Sequence, residues 1–313
     1  MAKHLVTGGA GFIGSHLVDR LIAEKNEVTV YDNLVSGQKE NLKQHFNKQG
    51  FNFIQADILD IDALKKAMQG QEVVWHLGAN TDIPTGTKVT DLDLKNCTIG
   101  THSTLEAMRQ TKVNNIIFAS SACVYGDAAM VALDETYGPL LPINLYGAGK
   151  LACEGFISAY STLFGIKARI FRFGNVVGAK MGHGVIYDFI YKLKKNPKEL
   201  EILGDGKQEK NFFLVEDCIA GMICGFEKSK SQCDIFTLGC DSFSTVTRIA
   251  EIVCEEMNLS DVKFKYTGGR GGWAGDAPVV HFNTAKMKSF GWKPKYDSDG
   301  AVRVAARRLL GKE

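Results

Sequence analysis

The chain has few prolines, no long apolar run and no marked excess of either charge. Its 313 residues include 6 prolines against 33 glycines, and 37 basic against 35 acidic side chains give a net charge of +2. No apolar run reaches the ~20 residues that cross a bilayer. No basic block marks a surface for nucleic acid or anionic lipid. We therefore expect neither a membrane nor a nucleic acid as a partner.

The cysteines also lack the spacing of common metal sites. Eight are present, but none forms a C-x-x-C pair and no histidine stands at zinc-finger spacing. A chain of this length buries a large core without disulfides, so reduced thiols in a cytoplasmic protein are expected, with no bound metal. The first residues, 3–7, predict a strand leading into a glycine loop rather than a secretory leader.

Short β-rich runs alternate with helical patterns through the first half of the chain. Strands are predicted near 4–6, 28–31, 51–54, 73–76, 115–119 and 167–171, and helices near 12–25, 61–68, 94–109 and 146–164. Such alternation predicts right-handed crossovers and a parallel sheet covered on both faces. The expected fold class is therefore α/β, a Rossmann-type doubly wound sheet.

The rhythm changes after about residue 178. Helices are predicted near 185–194, 217–226, 245–257 and 298–310, and strands near 201–203, 212–215, 234–238 and 262–266. Glycine-rich stretches at 204–206 and 268–275 predict loops that face another group. We predict a dinucleotide-binding domain over 1–178 and a smaller α/β substrate-binding lobe over 179–313, with some exchange of elements between them.

A glycine loop and an aspartate point to a dinucleotide. Gly8, Gly11 and Gly14 follow the first strand and open the first helix, and Gly9, Gly11 and Gly14 also satisfy G-x-G-x-x-G. Small residues let the chain turn tightly, let a pyrophosphate approach backbone N–H groups and let the helix pack on the strand. Asp32 ends the second strand, and its carboxylate would accept ribose hydroxyls and repel a 2′-phosphate. NAD is therefore predicted rather than NADP.

A second group of polar residues suggests redox chemistry on a hydroxyl. Tyr146 and Lys150 share one face of a predicted helix. An ammonium beside a phenol favours the phenolate, so we expect Lys150 to lower the pKa of Tyr146 toward working pH. Ser120 and Ser121 follow the strand near 115–119, at the edge of the sheet where ligands bind.

In this order, these features resemble the extended short-chain dehydrogenases/reductases. Within them, the chain is most similar to the nucleotide-sugar epimerase/dehydratase group and its UDP-glucose 4-epimerases. The matching stretches are TGGAGFIG (7–14), VYDNLVSG (30–37), ADILD (56–60), HLGAN (76–80), SSACVYG (120–126), YGAGK (146–150), RFGNVVGA (172–179), LGDGKQEKNFFLVED (203–217) and WKP (292–294). The resemblance implies a two-lobe fold, tightly held NAD, a UDP-hexose substrate and a homodimer formed through the helices near 94–109 and 146–164.

The resemblance also implies roles for individual residues. It makes Ser121, Tyr146 and Lys150 catalytic. The residues implied to bind NAD are Gly8, Gly11, Phe12, Ile13, Gly14, Asp32, Asn33, Asp57, Ile58, Leu77, Gly78, Ala79, Tyr146 and Lys150. The residues implied to bind the nucleotide sugar are Ser121, Tyr146, Asn175, Gly184, Val185, Lys210 and Arg270.

Three positions depart from the family pattern. Gly149 replaces the serine of the YxxSK motif, and Cys97 stands where an asparagine usually contacts the cofactor, with Asn96 one position earlier. Lys210 replaces an arginine that binds phosphate. A lysine keeps the charge but loses the bidentate fork, so its phosphate contact is less directional.

By this resemblance the reaction begins with oxidation at C4 of the sugar. Tyr146 takes the proton of the 4-hydroxyl, hydride passes to the nicotinamide, and Ser121 bridges the two oxygens. Related 4,6-dehydratases carry an Asp-Glu pair, and sugar-acid decarboxylases a Glu, in the loop where this chain has Ala122 and Cys123. The resemblance therefore favours 4-epimerisation of the UDP-glucose/UDP-galactose type.

Two alternatives stay open. Cys123 stands where GDP-mannose 3,5-epimerases use a proton-shuttling cysteine, and Lys180 or His183 lies in the loop of its lysine partner, although that loop is shorter here. Cys123 equally suits a small buried filler. The fold also serves non-catalytic NAD-binding sensors, which lack the tyrosine or the lysine. The sugar could be a neutral hexose, an N-acetyl sugar or a uronic acid.

Overall fold

Strands and helices alternate over residues 1–128 and 131–313, which a computed structural model describes. The strands are β1 (Lys3–Thr7), β2 (Glu27–Asp32), β3 (Phe51–Gln55), β4 (Val73–His76), β5 (Asn115–Ser121), β6 (Ala132–Leu133), β7 (Lys167–Phe173), β8 (Asn175–Val177), β9 (Glu199–Ile202), β10 (Glu209–Lys210), β11 (Phe212–Leu214), β12 (Cys233–Leu238), β13 (Ser244–Thr245), β14 (Lys263–Tyr266) and β15 (Val279–Phe282). The helices are α1 (Phe12–Ala23), α2 (Ile61–Met68), α3 (Gly100–Thr111), α4 (Leu145–Phe164), α5 (Val185–Lys195), α6 (Val215–Lys228), α7 (Val246–Glu256), α8 (Ala285–Ser289) and α9 (Ser298–Leu309). A π-helical turn, Leu94–Ile99, precedes α3, and 3-10 turns occupy Lys39–Leu42, Pro84–Thr87 and Ala122–Tyr125.

The main sheet has seven strands in the order β12-β7-β5-β4-β1-β2-β3. β1 pairs in parallel with both β2 and β4, so the strand order reverses between β1 and β4. The crevice beyond the carboxyl ends of strands at such a reversal is where open α/β sheets bind ligands. The predicted fold class, a doubly wound Rossmann-type sheet, is confirmed.

Local signals in the sequence explain where the helices of the site begin. Asp60 caps α2, because its side chain accepts a hydrogen bond from the Ala63 N–H at 3.0 Å. Asn144 caps α4 in the same way and accepts from the Gly147 N–H at 2.7 Å. α4 ends at Gly165, which has a φ of +73° and closes the helix in the left-handed region.

The chain divides into two compact units, each discontinuous in sequence. The first comprises Met1–Val124, Asn144–Arg172 and Met222–Phe236; the second comprises Tyr125–Ile143, Phe173–Gly221 and Thr237–Glu313. The strand predicted over 234–238 was expected in the smaller lobe, but as β12 it pairs with β7 at the edge of the main sheet. A short apolar run carries no sign of which sheet it joins. The functional division at residue 178 stays a prediction.

The second unit carries a four-stranded sheet, β13-β10-β15-β6, and the parallel pairs β8–β11 and β9–β14. Several of these strands have two residues, too few for a periodic pattern, and they were not predicted. The two glycine-rich stretches face each other, because the Gly268 N–H donates to the Gly204 carbonyl at 2.9 Å. The Gly204 N–H in turn donates to the Thr267 hydroxyl at 2.9 Å.

Two expectations from the sequence concern the whole chain, one about its cysteines and one about membrane-spanning helices. All eight cysteines are thiols, as predicted. Among the residues that the structure describes, no helix has the length and apolar character needed to cross a membrane. The cytoplasmic location stays a prediction.

Candidate active site

The glycine loop between β1 and α1 leaves no room for side chains. Gly8 has a φ of +68°, and its N–H donates to the Tyr31 carbonyl at 3.0 Å. A Cβ on Gly14 would lie 2.8 Å from the Gly9 Cα, and one on Gly8 would lie 2.8 Å from the Gly78 nitrogen. Real Cβ atoms do not come this close to backbone, so these positions require glycine.

The first turn of α1 presents backbone N–H groups without a capping side chain. Gly11 is the N-cap residue, no side chain accepts a hydrogen bond there, and no acidic residue lies in the first turn. Phe12 and Ile13 open the helix, so their N–H groups are among the four that α1 cannot pair internally. This arrangement suits a bound diphosphate.

Asp32 stands at the carboxyl end of β2, beside the glycine loop. Its two carboxylate oxygens accept from the Ala10 N–H at 2.9 Å and the Leu34 N–H at 2.8 Å. Burial raises the pKa of Asp32, and these two hydrogen bonds oppose the rise. Each oxygen keeps a lone pair for a ribose hydroxyl. Gly37 leaves space for the carboxylate, since a Cβ there would lie 2.7 Å from it.

The residues predicted beside the adenosine lie next to Asp32. The Asn33 amide donates to the Asp57 carboxylate at 2.9 Å, and the second Asp57 oxygen accepts from the Leu59 N–H at 2.9 Å. Ile58 is largely buried and packs on the start of α3, where a Cβ on Gly100 would lie 2.5 Å from its Cδ1. The structure thus brings Asn33 and Asp57 together and turns the Ile58 side chain toward α3.

The loop after β4, with Leu77, Gly78 and Ala79, is tied to the end of β1. The Leu77 N–H donates to the Thr7 carbonyl at 3.2 Å, and the Gly78 N–H donates to the Thr7 hydroxyl at 3.2 Å. Since Gly8 follows directly, this loop and the glycine loop lie side by side at the reversal of strand order.

The His76 side chain connects β1 to α3. Its Nδ1 lies 2.7 Å from the Thr7 hydroxyl and its Nε2 lies 3.0 Å from the Thr101 hydroxyl. The ring stacks on Phe118 with centroids 5.7 Å apart. Burial, together with the nearby charge of Lys150, lowers the pKa of His76 to about 3. The imidazole is therefore neutral and serves as a hydrogen-bonding link.

The three predicted catalytic residues lie together at the carboxyl end of β5 and the start of α4. The Ser121 hydroxyl lies near the Tyr146 phenol and lowers its pKa. Lys150 is buried one turn further along α4, donates to the Ala119 carbonyl at 2.7 Å, and has its Nζ 5.6 Å from the centroid of the Tyr146 ring. The geometry places a hydroxyl, a phenol and an ammonium within one site.

The expectation that the pKa of Tyr146 is lowered is wrong. The pKa of Tyr146 is raised well above its usual range, chiefly by the protein atoms packed around the phenol. Cys97, Cys123 and Asp93 raise the pKa of Tyr146 further, and Ser121 lowers it. Desolvation of the phenolate is the largest cause, so the pKa moves in the opposite direction to the one expected from Lys150.

Two departures from the family pattern occupy neighbouring positions. A Cβ on Gly149 would lie 3.2 Å from the Cys97 Cβ and 3.2 Å from the Asp93 carbonyl. A serine at 149 would therefore press on the π-helical turn that carries Cys97. Position 147 also requires glycine, since a Cβ there would lie 2.5 Å from the Cys123 carbonyl.

In the second unit, the predicted phosphate-binding lysine already has a partner. The Lys210 ammonium lies 2.7 Å from the Asp276 carboxylate, both side chains being largely buried, and it also donates to the Ala277 carbonyl. Asn175 is held on the adjacent strand pair, where its amide donates to the Asn211 carbonyl at 3.1 Å. Asp276 has no signal in the sequence, because it lies 66 positions from Lys210 in a glycine-rich loop.

The remaining predicted substrate residues lie elsewhere in that unit. Gly184, with a φ of +101°, is the N-cap residue of α5, and Val185 is the first residue of the helix. No side chain caps this helix start. Arg270 is exposed on the loop between β14 and β15. Within this unit, the sequence-predicted residues are thus spread over a helix start, two strands and a loop.

Comparison with known proteins settles the family. A model described as the NAD dependent epimerase/dehydratase family matches residues 4–239. The chain belongs to this family. A putative UDP-glucose 4-epimerase of Methanocaldococcus jannaschii is 34% identical over 309 residues, which cover 96% of each chain. A crystal structure of a UDP-galactose 4-epimerase is 34% identical with a TM-score of 0.88 and 99% of each chain covered. That of a UDP-glucuronic acid 4-epimerase from Bacillus cereus, with UDP-glucuronic acid and NAD, is 25% identical with a TM-score of 0.89, covering 99% of this chain and 100% of the other.

This member of the NAD-dependent epimerase/dehydratase family is an enzyme of the nucleotide-sugar epimerase type, and its cofactor is NAD, as predicted. The structure fits the cofactor, because the glycine loop forms a cradle that any Cβ would fill and α1 begins without a cap. Asp32 supplies the carboxylate for ribose hydroxyls. When bound, NAD supplies the acceptor that removes and returns hydride.

Sequence reasoning missed one polar pair in this site. Asp93 is buried before the π-helical turn, and Asn80, which follows the loop after β4, donates to it at 3.0 Å. Asn80 ends the matched stretch HLGAN (76–80), whereas Asp93 lies outside the matched stretches, and the two residues form no local motif with each other. An aspartate between Leu92 and Leu94 gives no hint in the sequence of what encloses it.

Proposed function

We propose that this enzyme is a UDP-hexose 4-epimerase that interconverts UDP-glucose and UDP-galactose through a 4-keto sugar. The observation that carries the proposal is the buried Lys150 ammonium, anchored on the Ala119 carbonyl at 2.7 Å with its Nζ 5.6 Å from the centroid of the Tyr146 ring, beside Ser121. The turn that follows Ser121 has Ala122 and Cys123 and no acidic side chain. Elimination of water and decarboxylation need such a group, so the site supports reversible oxidation at C4 without a further step.

In the proposed reaction each residue has a separate task. Tyr146 as phenolate accepts the proton of the sugar 4-hydroxyl as hydride leaves C4. Ser121 hydrogen-bonds to Tyr146 and to the sugar oxygen. Lys150 is anchored on the Ala119 carbonyl and holds a positive charge near the phenol. Return of the proton from Tyr146, with hydride on the opposite face of the ketone, inverts the carbon.

The proposed contacts with the diphosphate come from the second unit. Lys210 is neutralised in part by Asp276, so its attraction for phosphate is weaker than that of a lone lysine. Arg270 is exposed and can add a bidentate contact. Asn175 is fixed by its hydrogen bond to the Asn211 carbonyl, and its side-chain oxygen would be the atom that contacts the substrate. Gly184 and Val185 would supply backbone N–H groups at the start of α5.

We also propose a homodimer through the π-helical turn, α3 and α4. Large apolar side chains are exposed there, with Leu94 at 54%, Phe156 at 41% and Leu163 at 71% exposure. A group of apolar side chains left open to water indicates a contact with another chain. Light scattering at several concentrations tests this; a monomer of 34.3 kDa at all of them would overturn it.

Two other substrates or reactions have a specific observation behind them. The similarity to a 4-epimerase solved with UDP-glucuronic acid makes a UDP-uronic acid the second candidate substrate. Cys123 acts electrostatically on Tyr146, so its thiol is close enough to the reaction centre for the 3,5-epimerase alternative to be tested.

The deciding experiment is turnover of UDP-glucose by the purified protein with its NAD. We expect UDP-galactose to form, and Tyr146→Phe to lower kcat at least ~10²-fold while NAD stays bound. Tyr191→Phe, on the exposed side of α5, is the matched control and should keep full activity. Nearly intact activity in Tyr146→Phe would reject Tyr146 as the base. Turnover of UDP-glucuronic acid alone would reject the neutral hexose, and no turnover at all would favour a sensor.

A further inference from the structure

Ser120 and Ser121, the two serines at the end of β5, have different surroundings. Successive side chains of a strand point to opposite faces of the sheet, and Ser120 is buried whereas Ser121 is partly exposed. The Ser120 hydroxyl donates to the Glu154 carboxylate at 2.5 Å. Glu154 lies on α4 and is buried as well. Ser120 therefore joins the end of β5 to α4.

Arg172, near the end of β7, holds the same carboxylate. Its Nε donates to Oε1 of Glu154 at 3.1 Å, and its Nη2 donates to Oε2 at 2.8 Å. An arginine stays protonated at any working pH, and two N–H groups on two carboxylate oxygens fix the orientation of both side chains. Because β7 lies next to β5 in the main sheet, Glu154 holds α4 to two neighbouring strands.

A second hydrogen bond joins α4 to β5 one helical turn earlier. Lys150 precedes Glu154 by four positions, and its buried ammonium donates to the Ala119 carbonyl at 2.7 Å. Ala119 and Ser120 are consecutive in β5, so the two hydrogen bonds lie side by side. The Lys150 Nζ is also 5.6 Å from the centroid of the Tyr146 ring. The contact through Glu154 thus supports the turn of α4 that carries this lysine.

The bond to Arg172 also keeps Glu154 from competing for Lys150. A lysine and a glutamate four positions apart on a helix often pair, but within the described part of the chain these two do not. Arg172 occupies both oxygens of Glu154, and Ser120 shares one of them. An ion pair with Glu154 would draw the ammonium one turn away from Tyr146. The carboxylate is instead held on the strands, so the charge of Lys150 stays near the phenol.

An ion pair buried this deeply is a weak source of stability. The side chains of Arg172 and Glu154 are 3% and 5% exposed. Removing two charges from water costs free energy, and an apolar pair of similar volume often stabilises a fold equally well or better. An apolar pair would not provide an oriented acceptor for the Ser120 hydroxyl. The ion pair therefore suits a role in geometry.

We propose that Glu154 is a positioning residue of this enzyme. Held by Arg172, it fixes the start of α4 against the end of β5 through Ser120. Tyr146 and Lys150 are thereby kept in place beside the strand end at which the reaction occurs. Glu154 acts through these two residues and not on the substrate itself. The inference rests on the proposed function in so far as Tyr146 and Lys150 form the reaction centre.

The test compares two buried serines in the purified protein with its NAD. Ser120→Ala removes the hydroxyl that donates to Glu154 and leaves the ion pair with Arg172 in place. We expect kcat for UDP-glucose to fall roughly tenfold, because a small misplacement of a catalytic group slows the reaction, while KM and NAD content stay unchanged. Ser161→Ala is the matched control and should keep kcat. Ser161 is also on α4, is 2% exposed like Ser120, and donates to the Gln232 carbonyl at 3.4 Å.

Amide hydrogen exchange, measured by mass spectrometry without substrate, gives a second readout. Ser120→Ala should speed exchange over residues 145–154, the start of α4, and leave residues 155–164 unchanged, because only the first part loses a contact with the sheet. Ser161→Ala should leave the start of the helix unchanged. Glu154→Gln is a poorer variant for this purpose, since it leaves the charge of Arg172 buried without a counter-ion and endangers folding.

The two readouts separate the positioning role from the proposed function. An unchanged kcat in Ser120→Ala, an equal fall in both serine variants, or unchanged exchange at the start of α4 overturns the proposal. A wild-type protein that does not turn over UDP-glucose rejects the proposed function. Exchange then decides alone: faster exchange over residues 145–154 in Ser120→Ala, and not in Ser161→Ala, supports the positioning role.

Discussion

Two buried aspartates mark the two ends of the site in the first unit, and they are held in different ways. Asp32 accepts one backbone N–H on each oxygen, whereas Asp93 accepts one side-chain amide and leaves its second oxygen without a partner. Burial raises the pKa of both carboxyls, and hydrogen bonds oppose the rise in both. The cofactor end is thus built from backbone, and the tyrosine end from side chains.

The difference shows what each end is suited to do. Backbone N–H groups and glycines fix a shape that a dinucleotide fits, and their positions depend little on pH. The side chains at the tyrosine end are titratable and lie close together, so their charges influence one another. We therefore expect the cofactor end to determine which dinucleotide binds, and the tyrosine end to determine how the activity depends on pH.

The largest effect should come from breaking the backbone end. Gly14→Ala would force the new Cβ against the Gly8 carbonyl and the Gly9 Cα. We expect the free energy of unfolding to fall by about 3 kcal/mol, because backbone must move to relieve the overlap, and NAD to be lost. Urea unfolding and the NAD content of the purified protein measure this.

Gly155→Ala provides the matched control on α4. A Cβ there would meet no atom within 4 Å, so the change should stabilise the helix by about 0.5–1 kcal/mol. If the Gly14 and Gly155 variants unfold alike and both retain NAD, the account of the glycine cradle is wrong.

A smaller effect is expected on the preference for NAD over NADP, and it should differ between the variants of the two aspartates. Asp32→Asn removes the charge that would face a 2′-phosphate, so the preference for NAD over NADP should narrow about tenfold. Asp93→Asn should leave that preference unchanged, because its carboxylate lies at the tyrosine end. Dissociation constants for both dinucleotides give the ratio. Equal narrowing in the two variants would contradict the division of the site.

The last effect is absent at neutral pH and develops only in acid; it concerns His76, which joins β1 of the cofactor end to α3. Its pKa of about 3 in the folded protein lies below the 6.5 of an unfolded histidine. Between these values the unfolded chain binds a proton that the folded chain does not, so stability is complete above pH ~6.5 and falls as pH decreases toward 3. The slope is at most about 1.4 kcal/mol per pH unit.

His76→Gln should remove that part of the acid sensitivity, whereas exposed His102→Gln should keep it. Urea unfolding at several pH values between 4 and 7 compares the three proteins, and the range brackets most of the expected transition. Identical slopes for wild type and His76→Gln would mean that His76 is not held neutral by burial.

The same two ends differ in how far the sequence predicts them. Gly8, Gly14 and Asp32 belong to one strand-helix-strand segment, so their spacing alone indicates where they meet. Tyr146 and Lys150 are predicted by their helical spacing, and Ser121 by its place after a strand. Asp93 and Asn80 meet only through the packing of a π-helical turn against α4 and the loop after β4, and no local pattern encodes that contact.

The pKa of Tyr146 shows the physical limit of sequence reasoning. The neighbouring lysine is visible in the sequence and predicts a lowered pKa, but burial raises it. Desolvation depends on every atom packed around the phenol. β12 teaches the same lesson for the fold, since its apolar run predicts a strand and says nothing about which sheet it completes.

The most direct test of the central claim is turnover of UDP-glucose in heavy water. In 4-epimerisation hydride returns to the carbon it left, so we predict UDP-galactose without deuterium on the sugar carbons, and most activity retained in Cys123→Ser. In 3,5-epimerisation a proton alpha to the 4-ketone exchanges with solvent. Deuterium at C3 or C5, together with loss of activity in Cys123→Ser, would contradict the 4-epimerase account and favour the 3,5-epimerase.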